Sequence, residues 1–188
     1  MLEDYLKKVN IFTEKEIEQV INLGTKKTLN KGDFFIRQGE MCKEVAFIVS
    51  GTLRSYYVTE KGEEISYCIT FPNNFMTAYS SFITGQRTEE TIQAITQVEL
   101  IMIPKSTIDA LANEHPNWVK FLKLMAEQQY LELEKRIFQL QKNNALQRYS
   151  DLIKNQPELI ASIPLQYLAS YLGVSQRHLS RIRREITF

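Results

Sequence analysis

Residues 163–186 read IPLQYLASYLGVSQRHLSRIRREI. Pro164 opens a helix in which Leu165, Leu168, Ala169 and Leu172 occupy i, i+3, i+4 and i+7, one inward stripe. Gly173 follows at a position that tolerates a left-handed backbone. Val174 is a small apolar turn residue, and Ser175 is a good N-cap for a second helix. There Leu179, Ile182 and Ile186 form a second inward stripe. At about 100° per residue, Arg177, Ser180, Arg181 and Arg184 fall opposite it, towards solvent. Two short helices joined by a glycine turn, the second polar and basic on its free face, predict a helix-turn-helix.

The side chains on that free face suit DNA. Arginine donates two hydrogen bonds to guanine O6 and N7, glutamine pairs bidentately with adenine, and arginines off the reading face neutralise phosphates. The candidate DNA contacts are Gln176, Arg177, His178, Ser180, Arg181 and Arg184, with Gln176 and His178 flanking the helix start. The chain's net charge is only +1, but Gly173 to Phe188 carries four arginines against the single acid Glu185, leaving the rest at −2. Basic charge gathered at one end calls for an anionic partner there. The blander reading is a solvated basic face on an amphipathic helix; the buried stripe before it and the Gly-Val-Ser turn outweigh that.

Moving towards the N-terminus, Pro157 and Pro164 break the final helical block, whose roughly 40 residues need a larger neighbour to lean on. That neighbour is the stretch following Pro116, free of Gly and Pro from Asn117 to Asn143 and so one helix about 40 Å long. Trp118, Leu122, Met125, Gln129, Leu133, Arg136 and Leu140 recur there at steps of 4, 3, 4, 4, 3 and 4. This approximates a heptad seam, and its polar positions suit a subunit contact better than a dry core. Trp118, Leu122, Met125, Gln129, Leu133 and Leu140 are therefore the expected dimer seam; packing on the chain's own β-domain is the rival.

From about Lys26 to Ile103 the grammar is β. Segments rich in Val, Ile, Thr, Tyr and Phe are punctuated by Gly32, Gly39, Gly51 and Gly62, at intervals of 7, 12 and 11 residues. Short strands at such spacing predict a sandwich or barrel. Thr52–Val58 reads as a strand entering a hairpin turn, and Val98–Ile103 as another, stopped by Pro104. Ahead of this block, Thr13-Glu14-Lys15-Glu16 fits a capping box, Phe12 and Ile17 a hydrophobic staple, and Gly24 a helix stop.

Composition closes off other classes. At 188 residues, 44% hydrophobic and 24% charged, the chain is ordinary globular material with room for one large or two small domains. The longest purely apolar run is Val45–Val49, and MLEDYLKKV at the start lacks the apolar stretch of a secretory signal, so a cytoplasmic protein without membrane association is expected. Cys42, Cys68, His115 and His178 form no CxxC, HExxH or Cys/His cluster, so neither a metal nor another cofactor is expected, and both cysteines read as free thiols. The β-block holds no histidine, which argues against a cupin-type enzyme.

Taken together, Lys31-Gly32-Asp33, Gln38-Gly39-Glu40, Ser50-Gly51-Thr52-Leu53-Arg54, the long helix, Tyr171–Ser175 and Leu179–Arg183 resemble the Crp/Fnr superfamily of bacterial transcription regulators over nearly the whole chain. The resemblance implies an α+β protein in three parts. These are a cyclic-nucleotide-binding-like β jelly-roll sensor at 1–115, a long dimerisation helix at 116–144, and a helix-turn-helix at 145–188. It implies a homodimer on a two-fold symmetric DNA site, with an unknown small-molecule effector and RNA polymerase as further partners. Gln176, Arg177 and Arg181 match the family's three principal base-contacting positions.

Two departures qualify the resemblance. Where cyclic-nucleotide binders carry Gly-Glu and then Arg-Ser/Thr, this chain has Thr77-Ala78 and Thr88-Glu89. A lost arginine and an added carboxylate repel a cyclic phosphate, so no response to cyclic AMP is expected. By position in the relatives, the effector pocket would use Tyr67, Met76, Thr77, Tyr79 and Thr88. The second departure is the ending at Thr187-Phe188, where many relatives continue into a β-hairpin wing; the expectation is a short form in which the wing is dispensable. The alternative function is a signalling or interaction module that has lost DNA binding.

Overall fold

A computed structural model describes residues 1–155 and 157–186; the expectations for Thr187 and Phe188, and for the Ile186 side chain, lie outside the described residues. Two helices, α1 (Leu2–Val9) and α2 (Glu14–Leu23), precede eight strands: β1 (Thr25–Leu29), β2 (Phe34–Ile36), β3 (Glu44–Ser50), β4 (Leu53–Val58), β5 (Glu64–Thr70), β6 (Phe75–Met76), β7 (Thr91–Ala94) and β8 (Val98–Pro104). A short helix, α3 (Tyr79–Thr84), interrupts them before β7. They form two antiparallel four-stranded sheets, ordered β1-β8-β3-β6 and β2-β7-β4-β5, packed as a jelly-roll sandwich.

The period of two along each strand decides what fills the space between the sheets. Ala46 and Ile48 of β3 and Leu100 and Met102 of β8 point inward, meeting Leu53 of β4 and Ile92 and Ala94 of β7. The alternate residues, Phe47 of β3 and Ile103 of β8, point outward and are equally buried. Helices cover that outer face: Leu2, Leu6, Ile17 and Val20 from α1 and α2, and Ile108 and Leu111 from α4 (Lys105–Glu114). Burial on both faces is why β3 reads as an unbroken apolar run rather than an alternation.

The capping box closes as expected. The Thr13 amide donates to the Glu16 carboxylate at 2.7 Å, and the Glu16 amide donates to the Thr13 hydroxyl at 3.3 Å. Gly24 does follow α2, but in extended backbone (φ −78°) rather than the left-handed form. Its reason is space, since a Cβ there would meet Ile101 Cγ2 at 2.6 Å.

The long helix α5 (Pro116–Lys142) begins inside this core. Trp118 is 1% exposed, packed on Phe12 and Phe121 at ring separations of 4.7 and 5.8 Å. This corrects its assignment to the dimer seam: the side chain is already committed to its own chain's core and offers nothing to a second copy. Leu122 and Met125 also lean on that core, while Gln129, Leu133 and Leu140 are exposed. Beyond a two-residue joint, Asn143 and Asn144, lie α6 (Ala145–Asn155), α7 (Pro157–Ser162), α8 (Leu165–Leu172) and α9 (Gln176–Ile186). Among the described residues no helix is long and apolar enough to cross a membrane.

Candidate nucleic-acid interface

Helices α8 and α9 pack around Leu168, Ala169, Leu172, Leu179 and Ile182, none more than 3% exposed, with Tyr149 of α6 and Ile163 completing the cluster. The turn between them is tight. Gly173 adopts the left-handed conformation (φ 67°, ψ 37°), and the amides of Gly173 and Val174 donate back to the carbonyls of Ser170 and Ala169, each at 3.0 Å. Ser175 caps α9, its hydroxyl accepting from the His178 amide at 3.2 Å.

Two guanidiniums hold the C-terminal end of α8, where carbonyls lack intrahelical partners and the helix dipole favours cations. Arg148 of α6 donates to the Leu172 carbonyl through Nε and Nη2, at 3.0 and 2.8 Å. Arg136 of α5 donates to the Tyr171 carbonyl and stacks over the Tyr171 ring, 4.1 Å from its centroid. Burial pushes the pKa of the Tyr171 phenol up and that of the Arg136 guanidinium down, the latter helped by neighbouring Arg148. The C-terminal end of α8 thus hangs from a frame fixed to both α5 and α6.

With the leucine and isoleucine stripe turned inward, Gln176, Arg177, His178, Arg181 and Arg184 are exposed on α9 and Ser180 is half-buried. Arg183 belongs to the frame, its Nε donating to the Tyr149 hydroxyl at 3.1 Å. A ridge of three exposed guanidiniums and an amide on one short helix can reach both base edges and phosphates.

Each of the five residues expected around an effector has a local role of its own in the structure. Met76 is 5% exposed and part of the sandwich core, so it is packing rather than lining. Thr77 is turned into the chain, donating to the Glu44 carbonyl at 2.8 Å beside Cys42 Sγ at 3.1 Å. Tyr79 starts α3 and is exposed. Thr88 is buried and shapes its own loop, its hydroxyl donating to the Glu90 carbonyl at 3.3 Å and accepting from the Glu90 amide at 3.1 Å. Tyr67 donates to the Glu90 carboxylate; burial raises both groups, and for Glu90 the Tyr67 and Ser55 hydroxyls partly offset it. Arg87 is bound to the Gly39 carbonyl at 2.6 Å. Open clefts of about 450 and 660 Å³ elsewhere on the sandwich include none of the five.

No functional role for Arg54, Tyr167 or Ser170 was legible in the sequence, yet they join α8 to the sheet β2-β7-β4-β5. The only local signal was a charged residue inside a strand otherwise fit for burial.

Residues 26–115 match the cyclic nucleotide-binding domain family. Across 181 residues, 90% of this chain and 72% of the relative, the sequence is 25% identical to the fumarate nitrate reduction regulatory protein of Klebsiella oxytoca. A solved transcriptional regulator of the Crp/Fnr family from Eubacterium rectale superposes over 98% of this chain and 88% of its own, with a TM-score of 0.76 at 16% identity. Together these similarities support a chain of the Crp/Fnr type. The same fold recurs in FixK2 from Bradyrhizobium japonicum, at a TM-score of 0.78 and 16% identity over 87% of this chain and 84% of that one. The relatives that match over 90% of this chain are regulatory proteins, not enzymes.

Proposed function

We propose that this chain is a homodimeric, DNA-binding transcription regulator working in the cytoplasm, and that cyclic AMP is not its effector. Its parts are a sensor at 1–115, a dimerisation helix at 116–144 and a DNA reader at 145–188. The observation that carries the reading is α9: Gln176, Arg177, Arg181 and Arg184 exposed on one side while Leu179 and Ile182 are buried on the other. Its placement after a glycine-turned first helix is that of a recognition helix for the major groove.

Dimerisation is supported by the distal half of α5. Leu133, Ile137 and Leu140 are 58%, 45% and 45% exposed, with Tyr130 and Phe138 alongside, more apolar surface than a solitary helix leaves in water. A second copy packed along this half, through Gln129, Leu133 and Leu140, would set two recognition helices about 34–36 Å apart, one turn of DNA. Against cyclic AMP stands the acidic pair Glu89-Glu90, with Arg87 occupied by the Gly39 carbonyl. A phosphate there would meet carboxylates rather than a free guanidinium.

Selection of bound DNA from a random pool should return a two-fold symmetric site. Affinity should fall steeply with salt, at about 0.9 logarithmic units per neutralised phosphate. Arg181→Ala should cost about 1–3 kcal/mol and relax preference at one base pair of each half-site. Unchanged binding by Arg181→Ala refutes the docking through α9, and recovery of no DNA at all refutes the proposal and favours an interaction module that does not read DNA.

A further inference from the structure

Arg54 is 3% exposed, and one of the rings that cover it comes from the other end of the chain. Its guanidinium lies 4.0 Å from the ring centroid of Tyr56, two residues along β4, and 3.7 Å from that of Tyr167 on α8. In the plane of the cation, Nη2 donates to Glu64 at 2.5 Å, and Nη2 and Nε donate to Gln93 at 2.7 and 3.2 Å. Glu64 and Gln93 pair the charge within the sheet, but it is sandwiched between two rings only while α8 rests there.

One turn further along α8, Ser170 meets the outer strand β5. Its hydroxyl accepts from the Ser66 amide at 2.8 Å and donates to the Glu64 carbonyl at 3.2 Å, satisfying two backbone groups on the side of β5 away from β4. Ile69 and Phe71 supply apolar contact. Tyr167, Ser170 and Tyr171 stand at i, i+3 and i+4, so α8 uses one face for the sensor and the opposite one, Leu168, Ala169 and Leu172, for the reader's own core. The covalent tie from α5 to the last four helices is a two-residue joint, beside which Arg136 of α5 also holds the Tyr171 carbonyl.

We propose that this contact is a latch, closed by the Arg54–Tyr167 stack, that holds the helix-turn-helix in its reading orientation before DNA arrives. The inference rests on α9 being the DNA-reading helix. The latch engages α8 and leaves Gln176, Arg177 and Arg181 of α9 exposed, so closure positions the reader without covering it. An unlatched reader would be oriented correctly for only a fraction of the time, and apparent affinity falls by that fraction.

The Ser66 amide is a built-in reporter, because its partner is a hydroxyl from the other domain. Amide exchange of the full-length chain, measured by nuclear magnetic resonance without DNA, should show Ser66 exchanging at least tenfold faster in Tyr167→Ala. Amides at the β3–β8 pairing should keep their protection. Arg54→Gln should act in the same way, and Tyr167→Ala covers the case in which Arg54→Gln disturbs the sheet itself. DNA selected from a random pool by the natural chain should bind Tyr167→Ala at least fivefold more weakly. The latch is overturned if Ser66 exchange is unchanged in Tyr167→Ala. Its positioning role is overturned if Ser66 exchange rises and the selected DNA binds as tightly as before, or tighter. Should the natural chain select no DNA, it is the reading of α9 that fails, while the exchange data still decide whether the latch exists.

Discussion

Replacing Trp118 by Ala separates a core residue from a subunit contact. A buried aromatic side chain withdraws about 150–250 Å² from water, and at about 25 cal/mol per Å² that is about 4–6 kcal/mol. Trp118 is 1% exposed, wedged against Phe12 and Phe121 where the sandwich, α2 and α5 converge, so little can collapse into the space it leaves. The expected loss is about 3–5 kcal/mol, a fall of about 10 °C in Tm for a chain of this size. One opposing quantity is also visible: among the described residues Trp118 Nε1 is buried without a hydrogen-bond partner, a desolvation cost of about 1–3 kcal/mol. Trp118→Phe keeps a ring against Phe12 and removes that orphaned donor, so it should stay within about 1 kcal/mol of the natural chain. The assay is urea unfolding followed by circular dichroism at two protein concentrations tenfold apart. A core residue gives the same difference from the natural chain at both, whereas a seam residue gives a difference that moves with concentration. A concentration-dependent difference, or a Phe variant as unstable as the Ala variant, refutes the reasoning.

The carboxylate of Glu16 is buried, which by itself raises its pKa, but the Thr13 amide, the Asn117 amide, the Thr13 hydroxyl and His115 together hold it below the ordinary 4.5. Its stabilisation is present above that value and lost as pH falls through the folded pKa. Glu16→Gln should melt lower than the natural chain at neutral pH, by about 1 kcal/mol, with the gap closing below pH 4.5; a gap that persists to strong acid contradicts this. At Gly51 (φ +85°) a Cβ would stand 2.1 Å from the Gln97 carbonyl oxygen and 2.8 Å from Val98 Cα, while at Gly62 (φ +80°) it would meet nothing within 4 Å. Gly62→Ala should therefore cost about 1–2 kcal/mol, and Gly51→Ala at least about 2 kcal/mol more; equal losses in denaturant unfolding would mean the Gly51 contact carries no weight.

Local grammar was legible where one element's own residues decide its state. The stripes Leu165-Leu168-Ala169-Leu172 and Leu179-Ile182 announced two packed helices, and Gly173 and Ser175 marked the turn because backbone conformation and capping are short-range. The capping box at Thr13 was readable for the same reason. Helix α1 was not: MLEDYLKKV is too short and too charged for its two buried leucines to stand out, and they matter only because sheet and helix faces meet there. Trp118 failed differently. Its spacing fitted the α5 stripe, but periodicity reports which side of a helix is apolar and not which surface covers it. Arg54 and Tyr167 lie 113 positions apart, and no local pattern couples a strand arginine to a helix tyrosine across that distance.

An open sandwich always has four outer strands, each a row of unpaired amides and carbonyls that invites a stranger to add itself. Two are short, β2 with three residues and β6 with two, and β1 guards itself with Lys26 and Lys27, both exposed. The seven-residue β5 has no such protection of its own and relies on Ser170 and Tyr167 lying across it. Loosening the reader therefore bares a sticky margin, and variants of α8 should clump on storage even though the sandwich beneath them is intact.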